Sequence, residues 1–552
     1  MTDKKTQYAV QLIGKDQLCL NDSKDIYSPG PYQIFAKVKA VGLCFSDIKL
    51  FKQFSDHARK GPIISGVSNE ALDQDPSYKP GKRPTVPGHE VCIEVVEVGE
   101  KVTYHKPGET LLVQADFRWL KTENSNGAFG YNIEGALQQY VTLDERIFVD
   151  PRANESFLLP VSSDISDSAV ALVEPWTCVE SSYVSKERQT ILNGGKLLIV
   201  TDDGRAVKGL DKCITADCKP AEVKVCGADV ELAGITVEKI ASTGTVPNES
   251  VDDIIYFGCD KAVIELLNNK LAKGGIINIV LGGNKIGSET SIDVGRIHYG
   301  LTRWIGTVGD DASESYNNIP SDGEVRTGDK ILVVGAAGPM GQMHVIRLVC
   351  AGIKDIEIIG TDFDDERLES LNEKASATAE KNSVKLNLVN PQKTPLAQKF
   401  DYVAVMAPVS ALLAQAVKDS TSGTIINIFA GIAAGTKQAI DMDTYIENKC
   451  FMFGTSGSTL DDMKIVLGKL TDGTLDTNLS ADAVCGMAGA IDGIRAVENR
   501  SISGKIIVYP MLEKMGLIEL SQLQEKYPTV SAKLVNGLWT EAAEKELLRT
   551  CK

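Results

Sequence analysis

Lys330-Ile-Leu-Val-Val-Gly-Ala-Ala-Gly-Pro-Met-Gly341 is the stretch that decides the fold of this chain. The apolar run Ile331–Val334 reads as a strand, and the segment from Gln342 to Ala351 reads as a helix. Glycines at 335, 338 and 341 join the two. Such a turn lets a pyrophosphate approach the backbone, and the helix N-terminus attracts its charge. The next strand, Ile356-Glu-Ile-Ile-Gly360, ends at Thr361-Asp362. Asp362 lies 21 residues past Gly341, where an acid would bind the ribose hydroxyls of NAD and disfavour a 2′-phosphate. Gly335, Gly338, Pro339, Met340, Gly341 and Asp362 are therefore the candidate cofactor-binding residues. A tight packing turn in an α/β domain is the plainer alternative.

Outward from this turn, the chain beyond about residue 195 alternates apolar strands with helical stretches, the signature of an open, mostly parallel sheet. It also repeats itself. Asp253-Ile-Ile-Tyr resembles Asp401-Tyr-Val-Ala, Ile276-Ile-Asn-Ile resembles Ile425-Ile-Asn-Ile, Ser291-Ile-Asp resembles Ala439-Ile-Asp, and Ile305-Gly-Thr resembles Phe453-Gly-Thr, at offsets of 148 to 149 residues. The leading strands, Leu197-Leu-Ile-Val and Ile331-Leu-Val-Val, are offset by only 134. We expect two tandem nucleotide-binding-type units, 191–324 and 325–480. The first offers Thr201-Asp-Asp-Gly204 where the glycine turn would sit. An acid pair there would repel a pyrophosphate, so this unit is expected to be degenerate.

The N-terminal region is different in kind. Short apolar or alternating runs, such as Ile34-Phe-Ala-Lys-Val-Lys-Ala-Val and Val91-Cys-Ile-Glu-Val-Val-Glu-Val, are separated by glycines and prolines and read as a β-rich domain. It spans 1–190 and is expected to be completed by a helix and strand at about 481–510. The tail, 511–552, reads as helical, amphipathic and charged. Within the β-rich domain, Pro87-Gly-His-Glu-Val91 has Gly42-Leu-Cys-Phe-Ser-Asp47 upstream and Val173-Glu-Pro-Trp-Thr177 downstream. Thiolate, imidazole and carboxylate are the ligands of a catalytic zinc, and ligands far apart in sequence suit a catalytic site better than a zinc finger.

Bulk properties narrow the classes. The 552 residues are 43% hydrophobic and 24% charged, with net charge −16, which argues against nucleic acid or an anionic membrane as partner. No apolar run approaches the roughly 20 residues that span a bilayer. The 12 cysteines form no CxxC pair, so reduced thiols and a cytoplasmic setting are expected.

Taken together, Lys39-Ala-Val-Gly-Leu-Cys-Phe-Ser-Asp47, Pro87-Gly-His-Glu90, Val95-Val-Glu-Val-Gly99, Leu172-Val-Glu-Pro175 and the 335–341 turn resemble the zinc-dependent medium-chain dehydrogenase/reductase family, in particular its sorbitol and polyol-phosphate branches. The resemblance covers roughly 1–195 and 325–510. It implies a GroES-like catalytic domain joined to a doubly wound Rossmann sheet, here with the degenerate unit inserted. It implies one catalytic zinc held by Cys44, His89, Glu90 and Glu174, Ser46 in the proton path, and Asp47 supporting the metal site. The activity implied is hydride transfer between a small alcohol, polyol, sugar or sugar phosphate and NAD, by a homo-oligomer. An NADPH-preferring reductase of the same superfamily and a non-catalytic nucleotide-binding scaffold are the alternatives.

The chain departs from that pattern in three ways. Phe45 replaces a usual glycine. The gap from Cys44 to His89 is 45 residues, about twice the usual one. No four-cysteine cluster appears between 110 and 135, so no structural zinc is expected. The extra segment, around 52–84, carries His57, Arg59, Lys60, Lys82 and Arg83. We expect a solvated surface loop there, with a substrate phosphate as the sharper alternative.

Overall fold

The computed structural model describes residues 5–455 and 457–551. It divides into two compact units, Met1–Cys178 with Ser458–Lys552, and Val179–Gly457. Among the described residues, no helix is long and apolar enough to cross a membrane.

The first unit is built on an eight-stranded sheet in which Gln33–Gly42 is central. Along that strand Ile34, Ala36, Val38 and Ala40 are fully buried while Phe35, Lys37 and Lys39 are half-exposed, the period-two pattern of a sheet with one face on the core. It pairs antiparallel with Glu90–Val98, Tyr140–Asp144 and Lys505–Val508. The last of these comes from the far end of the chain. The helix Leu460–Thr471 belongs to this unit, although its amphipathic sequence after a parallel strand reads as the closing helix of the nucleotide-type region. The tail also folds back onto this unit. Glu544, on the helix Glu541–Thr550, accepts from the backbone N–H groups of Asp167 (2.7 Å) and Ser168 (2.8 Å) at the start of the helix Asp167–Ala171, and from the Tyr509 hydroxyl (2.9 Å). A carboxylate from a distant helix thus takes up donors that the helix N-terminus leaves free.

The segment 52–84 is a surface segment with many exposed residues, Lys82 and Arg83 among them, but it is folded and carries buried charges. It forms the helix Asn69–Gln74 and two short 3-10 turns, and Lys60 within it is fully buried. The Lys60 ammonium donates to the backbone carbonyls of Lys79 and Arg83, so the lysine ties the segment's two ends together. Asp75 is also buried here. One of its oxygens accepts from the Ser77 N–H and hydroxyl, while the other is buried without a partner. Burial pushes its carboxyl up to about 7 from the ordinary 3.8. The folded chain therefore binds a proton that the unfolded chain releases, and stability falls as pH rises through this window. A shift of that size corresponds to on the order of 4 kcal/mol at full ionisation. Asp75→Asn, which cannot ionise, is expected to exceed the parent in stability by clearly more at pH 8 than at pH 4. Parallel urea titrations at the two pH values check this, and a pH-independent difference would contradict it.

The second unit holds two six-stranded parallel sheets with the same strand order. The first runs Val237–Ile240, Glu222–Cys226, Lys196–Thr201, Val251–Phe257, Leu271–Val280, Arg303–Thr307. The second runs Lys385–Val389, Glu357–Thr361, Lys330–Val334, Phe400–Val405, Ser420–Ile428, Phe451–Phe453. In both, the order reverses direction beside the first strand, the arrangement of a doubly wound fold. His298 and His344, which carry no motif, make structural hydrogen bonds, to the Ile428 carbonyl (2.9 Å) and the Tyr183 hydroxyl (2.8 Å).

Candidate functional site

Sheet register brings the metal-type residues of the first unit together. Gly42 pairs with Glu90 on one side and Ile507 on the other. Cys44 therefore emerges two residues past one strand, beside His89 at the head of the next, with Lys505 on the third. A Cβ on Gly42 would meet Glu90 Oε2, so glycine there leaves room for that carboxylate. Cys44 caps the helix Phe45–Gln53: its sulfur accepts from the Ser46 N–H (3.4 Å), and its own N–H donates to Asp47 (3.3 Å).

Ligand atoms of Cys44, His89 and Glu90 lie within 4.8 Å of one another, and among the described residues this is the one such cluster. His89 Nδ1 is hydrogen-bonded to Asp47 Oδ1 at 3.1 Å. That bond holds the ring by Nδ1 and leaves Nε2 for another partner, as a carboxylate does for a ligating imidazole. Glu90 is fully buried; its Oε1 receives the Lys505 ammonium at 2.6 Å while its Oε2 has no partner. A buried, unpartnered carboxylate oxygen beside a thiol and an oriented imidazole is a donor set that fits a zinc ion.

The negative groups around the His89 ring favour its charged form. Burial would strip the charge from His89, but Tyr131, Asp47 and Cys44 hold its pKa well above the ordinary imidazole value. Burial raises the carboxyl of Glu174, helped by the neighbouring charge of Glu90. Glu174 stands outside the three-residue cluster, yet its carboxyl feels His89, Glu90, Lys505 and Arg59. Ser46 is half-buried one residue beyond Phe45, which is exposed.

Three neighbours of the site were not legible from motifs. Lys505 opens an apolar strand, and a lysine there was the available signal. Tyr131 packs against His89 with ring centroids 5.6 Å apart. Arg59 lies over the Tyr131 ring at 5.3 Å and pairs with Asp116 at 3.4 Å, so it is a packed member of this wall. His57 contacts the same ring, and burial drops its pKa to about 4, which keeps it neutral.

In the second unit, Gly335 has φ +80°, a backbone that favours glycine, and a Cβ on Gly341 would collide with the Gly335 carbonyl. The helix Pro339–Cys350 starts with proline at its first turn and has no side-chain cap. Gly338, at its N-cap, has no atom closer to a built Cβ than the Gly335 carbonyl at 3.8 Å. Uncapped N–H groups beside an open approach fit a pyrophosphate. Asp362 accepts from the Ala337 N–H (3.2 Å) and the Phe363 N–H (2.8 Å), which places its carboxylate against the turn. The corresponding place in the first sheet is built otherwise. Asp202 accepts from the Tyr256 hydroxyl (2.5 Å) and the Cys259 N–H (3.0 Å), and only the four-residue helix Leu210–Cys213 lies between its first two strands.

A GroES-like β domain and doubly wound parallel sheets together define the alcohol-dehydrogenase fold. Residues 30–151 match the model of the alcohol dehydrogenase GroES-like domain. Among solved structures, 2R,3R-butanediol dehydrogenase from Bacillus subtilis matches with a TM-score of 0.50 at 17% identity, over 92% of this chain and 100% of that one. Among curated relatives, L-sorbose 1-phosphate reductase of Klebsiella pneumoniae is 22% identical over 341 residues, 55% of this chain and 76% of the relative. The (R,R)-butanediol dehydrogenase of Bacillus subtilis is 30% identical over 155 residues, 26% and 38% of the two chains. The uncharacterised Escherichia coli protein YggP is 26% identical over 271 residues, and the chain spans 62% of its length.

Proposed function

We propose that the chain is a zinc-dependent oxidoreductase that moves hydride between an alcohol carbon of a polyol, sugar or sugar phosphate and NAD. The observation that carries the proposal is the Cys44, His89 and Glu90 cluster, with His89 oriented by Asp47 and a Glu90 oxygen left without a partner. Cys44 Sγ, His89 Nε2 and a Glu90 oxygen would hold the ion, with Glu174 as a further candidate ligand. A zinc ion there supplies Lewis acidity toward an alcohol or carbonyl oxygen. Once Nε2 has lost its proton, Asp47 keeps the remaining one on Nδ1 and leaves Nε2 free to ligate. The Ser46 hydroxyl takes the alcohol proton and passes it to water. The names of the relatives, which include reductases and dehydrogenases of sugars and polyols, support the substrate class.

Gly335, Gly338, Pro339, Met340 and Gly341 would cradle the pyrophosphate. The Asp362 carboxylate favours ribose hydroxyls over a 2′-phosphate, through hydrogen-bond acceptance and repulsion respectively. The test is zinc content by elemental analysis together with cofactor reduction on a panel of polyols and their phosphates. One zinc per chain and faster turnover with NAD than NADP are expected. Asp362→Ala should lower the NAD-over-NADP preference at least tenfold, as judged by kcat/KM for each cofactor. Saturable NADH binding without turnover on any polyol would instead indicate a non-catalytic protein.

A further inference from the structure

The two parallel sheets of the second unit meet through a contact that maps onto itself. Strand Thr290–Asp293, which follows the fifth strand of the first sheet, pairs antiparallel with Lys437–Ile440, which follows the fifth strand of the second. Under the 148-residue offset of the repeat, Thr290 is equivalent to Gln438, Ser291 to Ala439, and Ile292 to Ile440. Ser291 pairs with Ala439, its own equivalent. Thr290 pairs with Ile440, and Ile292 pairs with Gln438. Each partner of one pair is the equivalent of a partner in the other. That is the rule of a two-fold, isologous contact, with its axis at the Ser291–Ala439 pair.

A second set of residues, away from this pair, obeys the same rule. A Cβ on Gly306 would lie 2.7 Å from Ile446 and 2.8 Å from the Ile279 carbonyl. A Cβ on Gly454, its equivalent, would lie 2.8 Å from His298 and 2.8 Å from the Ile428 carbonyl. His298 is the 148-offset equivalent of Ile446, and Ile279 is the 149-offset equivalent of Ile428. Both glycines are small for the same reason on opposite sides of the contact. The contact is also apolar. Ile292, Val294, Ile297 and Trp304 share one buried cluster with Ile440, Met442, Tyr445 and Met452.

We infer that the first sheet is a built-in partner for the second. It presents to the second sheet the surface that the second presents to it, so one chain encloses a two-fold contact that two copies of a single-sheet chain would have to form between them. A second copy of this chain is then shut out of this face. That partnership gives the first sheet a role even though its leading turn, with Asp202 held by Tyr256, lacks the build of a phosphate cradle. It does not depend on which cofactor or substrate the protein uses.

Cysteines on the pseudo-axis test it. Ser291 and Ala439 are half-buried and directly opposed, so the chain carrying both Ser291→Cys and Ala439→Cys should cross-link to itself on mild oxidation or with a short bismaleimide. Peptide mass mapping should find residues 291 and 439 joined, in a product that runs at the single-chain mass of 59.4 kDa. Each single variant should give no more covalent dimer than the parent treated alike. If copies instead met through either sheet, the axis would bring a single introduced cysteine against its own copy. A 439–439 or 291–291 cross-link at twice the mass would overturn the inference. So would a double variant whose two thiols are titratable but do not join.

Discussion

Replacing Cys44 with serine is expected to leave the protein folded and to lower kcat/KM by about a thousandfold or more, with loss of bound zinc. The magnitude follows from removing several kcal/mol of transition-state stabilisation, at roughly 1.4 kcal/mol per factor of ten. The fold should survive because Cys44 is the N-cap of the helix Phe45–Gln53, and serine is a preferred cap whose oxygen can accept from the Ser46 N–H in place of sulfur. Serine also keeps the size of the side chain beside His89. A thermal melt within a degree or two of the parent, combined with zinc loss and lost turnover, separates a metal role from a structural one. Unchanged zinc content and unchanged turnover would remove the proposed mechanism. His89→Ala is a weaker probe because it also strands Asp47, which is buried and bonded to that ring.

The same residues show what the sequence could carry. The strand–turn–helix at 330–351 was legible because each step follows from local chemistry: an apolar strand, glycines where Cβ atoms would collide, a helix with an open N-terminus. Cys44, His89 and Glu90 were legible as ligand types, and register closes the distance between them through Gly42, which pairs with Glu90. What was not legible depends on contacts between segments far apart in the chain. Lys505 reaches Glu90 from 415 residues away. Lys60 reads as one more surface cation, and nothing local announces that two backbone carbonyls bury it. The helix Leu460–Thr471 has the amphipathic pattern of a crossover helix, and only tertiary packing assigns it to the other unit. The repeat at 148 residues was readable, but its meaning was not. The pairing of Ser291 with Ala439 and the matched surroundings of Gly306 and Gly454 relate the two sheets across one contact.

Lys505→Met should have the largest effect on stability of any single change near the site. The ammonium donates to Glu90 Oε1 (2.6 Å) and to the Leu43 carbonyl (2.7 Å), and Lys505 is 5% exposed where Glu90 is 0% exposed. Burial would lower its pKa, but Glu90 and Cys44 outweigh burial and hold it above the ordinary lysine value, so the pair is ionic. Removing one member leaves a buried carboxylate with both oxygens uncompensated, a loss of about 3–5 kcal/mol. The size of the loss should depend on metal. With zinc bound, a cation still faces Glu90, so the urea midpoint of Lys505→Met should fall less in added zinc than in chelator, while the parent moves less between the two. Adding Glu90→Gln to Lys505→Met should recover much of the stability, because no buried charge is left, but without restoring turnover. A loss below about 1 kcal/mol that zinc does not alter would mean that Glu90 is compensated by neither the lysine nor a metal. The expected pattern of metal-dependent loss, stability rescue and persistent inactivity follows only if Glu90 stands between the lysine and the ion, with one oxygen toward each.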